Sequence, residues 1–430
     1  MTNNDRIQAR IARDKERRRL RKIERNEEYD NFNSVITMQH YVDALRKCKK
    51  GVNWKGSVQE YSQNAISEID SAIVSLESGV LPKLSSVKHI VLYERGKKRT
   101  ITPITIRDRM TQRVLCDHSL VPVLEHNLIY DNGASLEGKG VEFTRKRLLI
   151  HLKEAVKEYG SDFYALTFDF KSFFDSIPHK TCLKVLNEHF EDIYIKGLVM
   201  AIIRSYQEPF LEKEPNPELR ESKLYQLKHN QLHGICLGSQ ISQIMALAVP
   251  NKLDHFVKDT KSVRHYIRYM DDGIILSDNK EFLHELYLEM KEVCEDLGLT
   301  FNDRKTKIVK MSKGFVFMKV RYRVTKTGKI IRTLVRSGIV RMRRKLKKFC
   351  RLVRLKIMTL DDVFNSIQSW LAHSKVASSY KTVKSMLKLY NELFDGYKVT
   401  KKYEHVKGGN HGEILQADKW RKLRWCRNVA

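Results

Sequence analysis

The spacing of hydrophobic and polar residues changes several times along the chain, and each change predicts a different element. Between residues 31 and 82, apolar positions recur every three or four residues, which indicates amphipathic helices. Residues 89–104 read as two extended segments that fold back over the polar sequence ERGKK. Residues 264–276, RHYIRYMDDGIIL, place Asp271 and Asp272 between apolar runs. This pattern predicts a second hairpin with both carboxylates at its tip.

A third pattern lies between Arg304 and Leu360, where 21 Lys and Arg residues occur without one Asp or Glu. Within this region the sequence VRMRRKLKKFCRLVRLKI predicts a helix with one apolar face. The apolar face consists of Met342, Leu346, Phe349 and Val353. A basic helix that faces only solvent would normally interleave acids for pairing, so contact with nucleic acid is favoured. The expected contacts are Arg341, Arg344, Lys345 and Lys348.

The overall charge strengthens this interpretation. The chain of 430 residues holds 80 Lys and Arg against 51 Asp and Glu, a net charge of +29. A positive field of this size attracts polyanions and predicts salt-dependent binding to phosphate backbones. Residues 5–30 form a highly charged predicted helix, which is either a nucleic-acid arm or a solvated extension.

Cysteine usage and hydropathy bear on localisation. The seven cysteines are scattered singly without a CxxC pair, which favours free thiols in a reducing cytoplasm over a disulfide framework or zinc site. No apolar run reaches membrane-spanning length and the N-terminus is charged throughout. We therefore expect a cytoplasmic protein without a membrane partner.

A third carboxylate changes the meaning of the Asp-Asp pair. In FYALTFDFKSFFDSIPH, residues 163–179, Asp169 ends an apolar strand that should be buried. Asp169 is either a metal ligand at a strand end or the N-cap of the helix that follows. Phosphoryl transfer by two Mg²⁺ ions needs several converging carboxylates, and a hairpin pair cannot supply them alone. Asp169 beside the hairpin favours the metal site.

Several sequences in fixed order resemble the motifs of reverse transcriptases. FDFKSFFDSIPH, GICLGSQISQ and YMDD are similar to motifs A, B and C, LGLTFNDRKTKIV to motif D and GFVFMKVRYRV to motif E. The resemblance covers roughly residues 88–325 and is stronger than any one tetrapeptide because the order and spacing agree. It implies an α+β right-hand polymerase with fingers, an antiparallel palm sheet and a helical thumb.

The resemblance assigns roles to the acidic residues and their neighbours. Asp169 and Asp271 would ligate two Mg²⁺ ions, which Mn²⁺ can replace, and Asp272 would complete the acidic cluster. Phe170 falls at a position that contacts metal and nucleotide. Lys305 falls near the motif D lysine, a proposed acid for the pyrophosphate leaving group.

A second set of residues would select and hold the nucleotide. Phe174 falls at the aromatic gate against a ribose 2′-hydroxyl, which implies deoxynucleotides, while Phe173 is expected in the core. Arg99, with Lys97 or Lys98 behind it, matches the fingers bases that neutralise the triphosphate. Gly238 would let the backbone approach the nascent base pair. The motif B positions of this set are Leu237, Gly238 and Gln243.

Leu237 departs from the pattern of many reverse transcriptases, which have Gln before the motif B glycine. The variant LGSQISQ, with Ser242 and Gln243, resembles the enzymes of diversity-generating retroelements. Loss of a hydrogen-bonding amide predicts reduced fidelity.

The resemblance implies synthesis of DNA on an element-encoded RNA. Its partners would be template and primer, an RNA–DNA hybrid, deoxynucleoside triphosphates, a structured noncoding RNA and an accessory protein. An antiphage defence reverse transcriptase remains the alternative setting, and an inactive nucleic-acid scaffold the alternative class; Phe174 and Met270 disfavour an RNA polymerase. The predicted domains are an N-terminal extension 1–30, fingers 31–162, palm 163–325 with an insertion near 207–228, thumb 326–398 and a basic tail 399–430.

Overall fold

The computed structural model describes residues 3–80, 90–94, 97–101, 103–394, 397–399 and 425–427. The chain divides into two compact units, which we call the first and the second unit. The first unit comprises Met1–Leu148, Leu166–Ile275 and Glu281–Lys307, and the second comprises Leu149–Ala165, Leu276–Lys280 and Ile308–Ala430.

The N-terminal part of the first unit is mainly helical, as the three- and four-residue spacing predicts. Its helices are α1 (Asn3–Tyr29), α2 (Phe32–Val35), α3 (Met38–Cys48), α4 (Gly56–Gln63), α5 (Ala65–Glu77), α6 (Ile106–Leu115) and α7 (Val121–Leu124). Thr37 and Thr105 begin α3 and α6 by accepting hydrogen bonds from backbone N–H groups of the first turn. Between α5 and α6 the predicted hairpin is present as β1 (Ile90–Glu94) and β2 (Lys97–Ile101).

A four-stranded sheet carries the acidic residues. Its strands are β3 (Tyr164–Asp169), β4 (Tyr266–Tyr269), β5 (Asp272–Ser277) and β6 (Lys307–Lys310), in the order β4-β5-β3-β6. β4 and β5 are antiparallel neighbours, so the predicted hairpin around Asp271 and Asp272 is confirmed. Ile267, Ile274 and Ile275 are buried on this hairpin.

Along the chain, nine helices precede, separate and follow strands β3, β4 and β5 within the described residues. They are α8 (Val141–Tyr159), α9 (Phe173–Ser176), α10 (His179–His189), α11 (Ile193–Ser205), α12 (Glu208–Leu211), α13 (Pro217–Lys228), α14 (Gln240–Ala248), α15 (Asn251–His255) and α16 (Lys280–Asp296). The insertion near 207–228 contains α12 and α13. Pro217 takes the first turn of α13, where its missing N–H costs nothing, and Asn216 caps that helix.

The second unit contains a three-stranded antiparallel sheet and a helical core. The strands are β7 (Phe315–Phe317), β8 (Val320–Val324) and β9 (Ile330–Leu334), and the helices are α17 (Arg336–Arg354), α18 (Leu360–Ser374) and α19 (Tyr380–Leu393). On α17, Met342, Leu346 and Phe349 are buried as predicted, Val353 is partly buried, and Cys350 joins them. Two further strands, β10 (Tyr397–Val399) and β11 (Trp425–Arg427), pair with each other, and the rest of the predicted basic tail lies outside the described residues.

Helices and antiparallel strands in these proportions confirm the α+β class. In the part of the chain that the structure describes, no helix combines the length and the apolar character needed to cross a bilayer. The described cysteines at 48, 116, 182, 236, 294 and 350 are all free thiols.

Candidate active site

The tip of the β4–β5 hairpin presents two neighbouring carboxylates. Tyr269 pairs with Asp272 across the hairpin, so Met270 and Asp271 form the turn between them. Met270 has φ of 54°, a left-handed conformation that residues other than glycine seldom adopt. We call Tyr269–Asp272 the catalytic turn.

Close packing brings the catalytic turn against the end of β3. A Cβ atom on Gly273 would lie 2.1 Å from the Phe168 ring, so only glycine allows this approach. The backbone N–H of Phe170 donates to the Asp271 carbonyl at 3.2 Å. Two strands from distant parts of the sequence therefore meet where each carries a carboxylate.

Asp169 ends β3 and is 7% exposed. It is not a helix cap, because α9 begins after Ser172, three residues later. Its carbonyl accepts a hydrogen bond from Asn302 N–H at 2.7 Å, which ties the strand end to the loop after α16. The N-cap alternative is therefore wrong, and Asp169 is available as a ligand beside the catalytic turn.

Lys305 pairs with Asp169 from that same loop. Its Nζ donates to both carboxylate oxygens of Asp169 at 2.6 Å. The Lys305 N–H bonds the Asn302 carbonyl at 2.9 Å, which forms a tight turn under the side chain. The ammonium group of Lys305 therefore binds Asp169, the carboxylate that the sequence analysis expects to bind metal.

We define Asp169, Asp271 and Asp272 as the acidic cluster, because the charge of each carboxyl group affects its neighbours. Burial, the charges of Asp271 and Asp169 and a hydrogen bond with Asp169 raise the pKa of Asp272 to about 7, while Lys305 opposes the rise. The Asp272 and Asp169 carboxyl groups are therefore close enough to share a proton. Such a set of half-buried carboxylates favours a proton or a multivalent cation between them.

The donor set fits a divalent cation with oxygen ligands. Mg²⁺ and Mn²⁺ prefer carboxylate oxygens, and all three side chains of the acidic cluster supply them. Burial first, and then the negative charges of Asp271 and Asp169, raise the pKa of Asp272, and a cation bound by the three carboxylates would offset that charge. Asp169, Asp271 and Asp272 are the residues that would hold the cations.

Comparison with known sequences identifies the fold that carries this site. The family model described as reverse transcriptase (RNA-dependent DNA polymerase) matches residues 82–327, more than half of the chain. The chain belongs to the reverse transcriptase family. Members of this family are RNA-directed DNA polymerases, a class of nucleotidyltransferase, and family polymerases of this kind generally use divalent metal ions. No curated protein matches the sequence.

Solved structures of telomerase are similar to this chain at low identity. Apo telomerase from Candida tropicalis is 12% identical with a TM-score of 0.39, covering 78% of this chain and 64% of that one. Telomerase from Candida albicans, in complex with the TWJ fragment of telomeric RNA, is 12% identical with a TM-score of 0.38, covering 73% and 62%. A truncated C. tropicalis telomerase is 14% identical with a TM-score of 0.38, covering 59% and 56%. This reverse transcriptase spans between 56% and 64% of the length of these three chains.

The adjacent aromatics after Asp169 have different environments in this reverse transcriptase. Phe173 is 4% exposed, whereas Phe174 is partly exposed. Phe170 is 2% exposed, and its ring stacks on Phe301 at 5.0 Å and on Phe173 at 5.1 Å. The Phe170 side chain therefore belongs to the core, and only its backbone can reach a metal or nucleotide.

The motif B loop leads into α14. Leu237 is partly buried, Gly238 is exposed with φ of 119°, and Gln243 is exposed on the first turn of α14. Ser239 caps the helix through Ser242 N–H. These positions leave the three predicted residues accessible along one short segment.

The sequence analysis did not predict that Gln112 supports the motif B loop through a buried hydrogen bond. Gln112 on α6 is 1% exposed, accepts a hydrogen bond from Ser239 Oγ at 3.0 Å and donates to Tyr206 Oη at 2.6 Å. Its signal in the sequence is a polar residue among the buried apolar positions Met110 and Val114 of α6.

The remaining predicted residues lie on β2 and α17. Arg99 and Lys97 lie on β2 opposite Leu92 and Glu94, but their side chains fall outside the described residues. On α17 the predicted nucleic-acid contacts are all exposed: Arg341, Arg344, Lys345 and Lys348.

Proposed function

We propose that this chain is an RNA-directed DNA polymerase that extends a 3′ end with deoxynucleoside monophosphates and releases pyrophosphate. The observation that carries the proposal is the meeting of Asp169 with Asp271 and Asp272 beside the ammonium of Lys305. In this proposal residues 31–162 are the fingers, 163–325 the palm and 326–398 the thumb. Residues 1–30 and 399–430 are basic extensions.

The acidic cluster would bind two Mg²⁺ ions, or Mn²⁺ in their place. When bound, such a pair supplies an activated 3′-hydroxyl and stabilises charge on the leaving pyrophosphate. The three carboxylates would fix the positions of the bound cations. The primer end and the triphosphate would in turn be oriented by these cations. The half-buried position of Asp272 limits competition from water for these oxygens.

Lys305 has two tasks in this proposal. Its ammonium neutralises Asp169 when no other cation is present, as the 2.6 Å contacts indicate. Once it is displaced from Asp169, the same ammonium becomes available to donate a proton to the departing pyrophosphate. Its side chain is 48% exposed, so a substrate phosphate can reach it.

The substrate would be a deoxynucleoside triphosphate because Phe174 acts as a gate against the 2′-hydroxyl. Of the two adjacent aromatics only Phe174 retains exposed surface, since Phe173 packs in the core. The Phe174 carbonyl accepts Ile235 N–H at 2.8 Å, which ties the gate to the segment before motif B. Arg99 and Lys97 would neutralise the triphosphate from the fingers.

The template would be an element-encoded RNA, copied with low fidelity in a diversity-generating retroelement. Leu237 supports this setting because an aliphatic side chain cannot make the hydrogen-bonded check that Gln makes. The exposed bases of α17 would follow the RNA–DNA hybrid, with a structured noncoding RNA and an accessory protein as further partners. The compartment would be the bacterial cytoplasm.

Primer extension tests the catalytic proposal. The wild-type protein should extend a DNA primer on RNA with deoxynucleotides and reject ribonucleotides, and Asp271→Ala with Asp272→Ala should abolish extension. Asp361→Ala, which removes an exposed carboxylate from the first turn of α18, serves as the matched control and should be fully active. Equal extension by the double variant would refute the assignment of Asp271 and Asp272 as catalytic carboxylates. No extension by the wild-type protein would favour an inactive scaffold.

Sequencing the nucleic acid that copurifies with the protein tests the setting. RNA that matches a repeat beside a variable gene supports the retroelement. An invariant noncoding RNA from a cluster of defence genes supports the antiphage alternative, which shares the same motifs.

A further inference from the structure

Arg268 lies immediately before the catalytic turn and forms an ion pair with Asp254. Its side chain is completely buried, and so is that of Asp254 from α15. Along the sequence, Arg268 is the basic residue nearest to Asp271 and Asp272. Lys305 pairs with Asp169, whereas the buried guanidinium of Arg268 has other partners.

The guanidinium of Arg268 is held by hydrogen bonds on all of its nitrogen atoms. Nε donates to Asp254 Oδ1 at 2.8 Å, and Nη2 donates to Asp254 Oδ2 at 2.6 Å and to the Leu247 carbonyl at 2.8 Å. Tyr266 Oη donates to Asp254 Oδ1 at 2.6 Å. A bidentate pair of this kind fixes the plane of the guanidinium, which an ammonium could not do.

The remaining nitrogen reaches the catalytic turn. Nη1 of Arg268 donates to the carbonyl of Met270 at 3.0 Å. Met270 is the left-handed residue of the turn, with φ of 54°. Its carbonyl belongs to the peptide that joins Met270 to Asp271, so fixing that oxygen also fixes the direction in which Asp271 leaves the turn.

The backbone of Arg268 is anchored as well. Its N–H donates to the Asp131 carbonyl at 3.2 Å, and its carbonyl accepts Gly133 N–H at 3.0 Å. The base of the catalytic turn is therefore held on the edge of β4 that does not pair with β5. The guanidinium of Arg268 thus connects Asp254 on α15 to the Met270 carbonyl of the catalytic turn.

We propose that Arg268, held by Asp254, is a positioning residue that sets the cation affinity of the acidic cluster through the Met270 carbonyl. The inference rests on the proposed function, since it assigns Arg268 to the same cation site. Residues that orient metal ligands without touching the metal change affinity or activity by roughly 10- to 100-fold when they are replaced. Arg268 acts in this way on Asp271 and Asp272.

A purely structural ion pair makes a different prediction. If Arg268 and Asp254 only stabilise the core, their loss lowers the melting temperature and leaves the cation affinity of the folded protein unchanged. Replacing a buried pair with apolar residues of similar volume often preserves stability, which separates the two effects.

The experiment measures Mn²⁺ binding by the electron paramagnetic resonance signal of the free ion, on full-length protein without nucleic acid. Arg268→Lys keeps the positive charge but loses the planar, bidentate guanidinium. The triple variant Arg268→Met, Asp254→Leu and Tyr266→Phe removes the donor to Met270 and keeps the core filled. Tyr266→Phe alone removes a hydrogen bond from Asp254 and leaves the Met270 contact, so it is the matched control.

We expect the Mn²⁺ dissociation constant to rise roughly 10- to 100-fold in Arg268→Lys and in the triple variant, and to stay at the wild-type value in Tyr266→Phe. The Mg²⁺ midpoint of primer extension should shift in parallel. A folded triple variant with wild-type Mn²⁺ affinity would overturn the inference, even if Arg268→Lys fails to fold. Wild-type protein that binds Mn²⁺ but extends no primer would instead refute the proposed function, and the binding comparison would still decide the role of Arg268.

Discussion

The catalytic turn of the first unit and helix α17 of the second unit carry opposite charges and are built in opposite ways. The acidic cluster is brought together by buried packing, with Asp169 only 7% exposed and Gly273 pressed against Phe168. On α17, Met342, Leu346 and Phe349 are buried, whereas the basic side chains are all exposed. Each residue of the acidic cluster is therefore indispensable to its function. On α17, by contrast, many equivalent charges share the effect.

The difference follows from the two kinds of ligand. Divalent cations need oxygens at fixed positions, so a shift of one carboxylate removes a ligand. Phosphate backbones respond to summed charge, and each neutralised phosphate adds a similar increment to salt dependence. Substitutions in the two regions should therefore fail in different ways.

The largest effect is expected from Asp169→Asn. The substitution removes a charged ligand and leaves Lys305 without its carboxylate, so polymerisation should fall about 1,000-fold, as loss of several kcal/mol of metal-dependent stabilisation requires. Single-turnover primer extension measures the rate. Asp303→Asn, which changes an exposed carboxylate on the same loop, is the control and should remain active. Comparable rates for the two variants would show that Asp169 is not a ligand.

The next effect is expected from Gly273→Ala. The added Cβ would lie 2.1 Å from the Phe168 ring, so hairpin and strand must separate, at a cost of about 1–3 kcal/mol in the free energy of unfolding. Urea denaturation measures this cost, and primer extension should fall with it. Gly197→Ala on α11 meets no atom within 4 Å and should be neutral or slightly stabilising. Equal stability of the two variants would contradict the close approach.

Helix α17 should respond gradually to loss of charge. Changing Arg341, Arg344, Lys345 and Lys348 to Gln should lower the slope of log affinity against log salt by about 3 for an RNA–DNA hybrid, at 0.7–0.9 per phosphate contact. Fluorescence anisotropy at several salt concentrations measures the slope. Met342→Ala should leave the slope unchanged but destabilise the fold by about 2–5 kcal/mol. An unchanged slope in the fourfold variant would place the hybrid elsewhere.

The smallest effect is expected from Leu237→Gln. A restored amide can add one hydrogen bond of about 1 kcal/mol to correct geometry, so the error frequency should fall about fivefold. Sequencing of the products of primer extension on RNA measures it. An unchanged error spectrum would remove Leu237 as the source of low fidelity.

The sequence predicted the hairpin and the strand end of the acidic cluster because apolar runs around Asp residues leave few alternatives. It also separated Phe173 from Phe174 in their environments. It did not predict α12 and α13, because Pro and Glu near residue 217 resemble a loop when in fact Pro217 starts a helix. The roles of Gln112 and Arg268 could not be predicted, since each depends on partners more than ten residues away, whose proximity only the fold creates.

The central claim is that Asp169, Asp271 and Asp272 bind divalent cations together at a growing DNA end. Anomalous diffraction from a Mn²⁺ complex with primer and template tests it most directly. We expect anomalous peaks bonded to oxygens of Asp169 and of the catalytic turn, with Lys305 displaced from Asp169. A complex in which Lys305 still pairs with Asp169 and no peak lies between the carboxylates would contradict the claim.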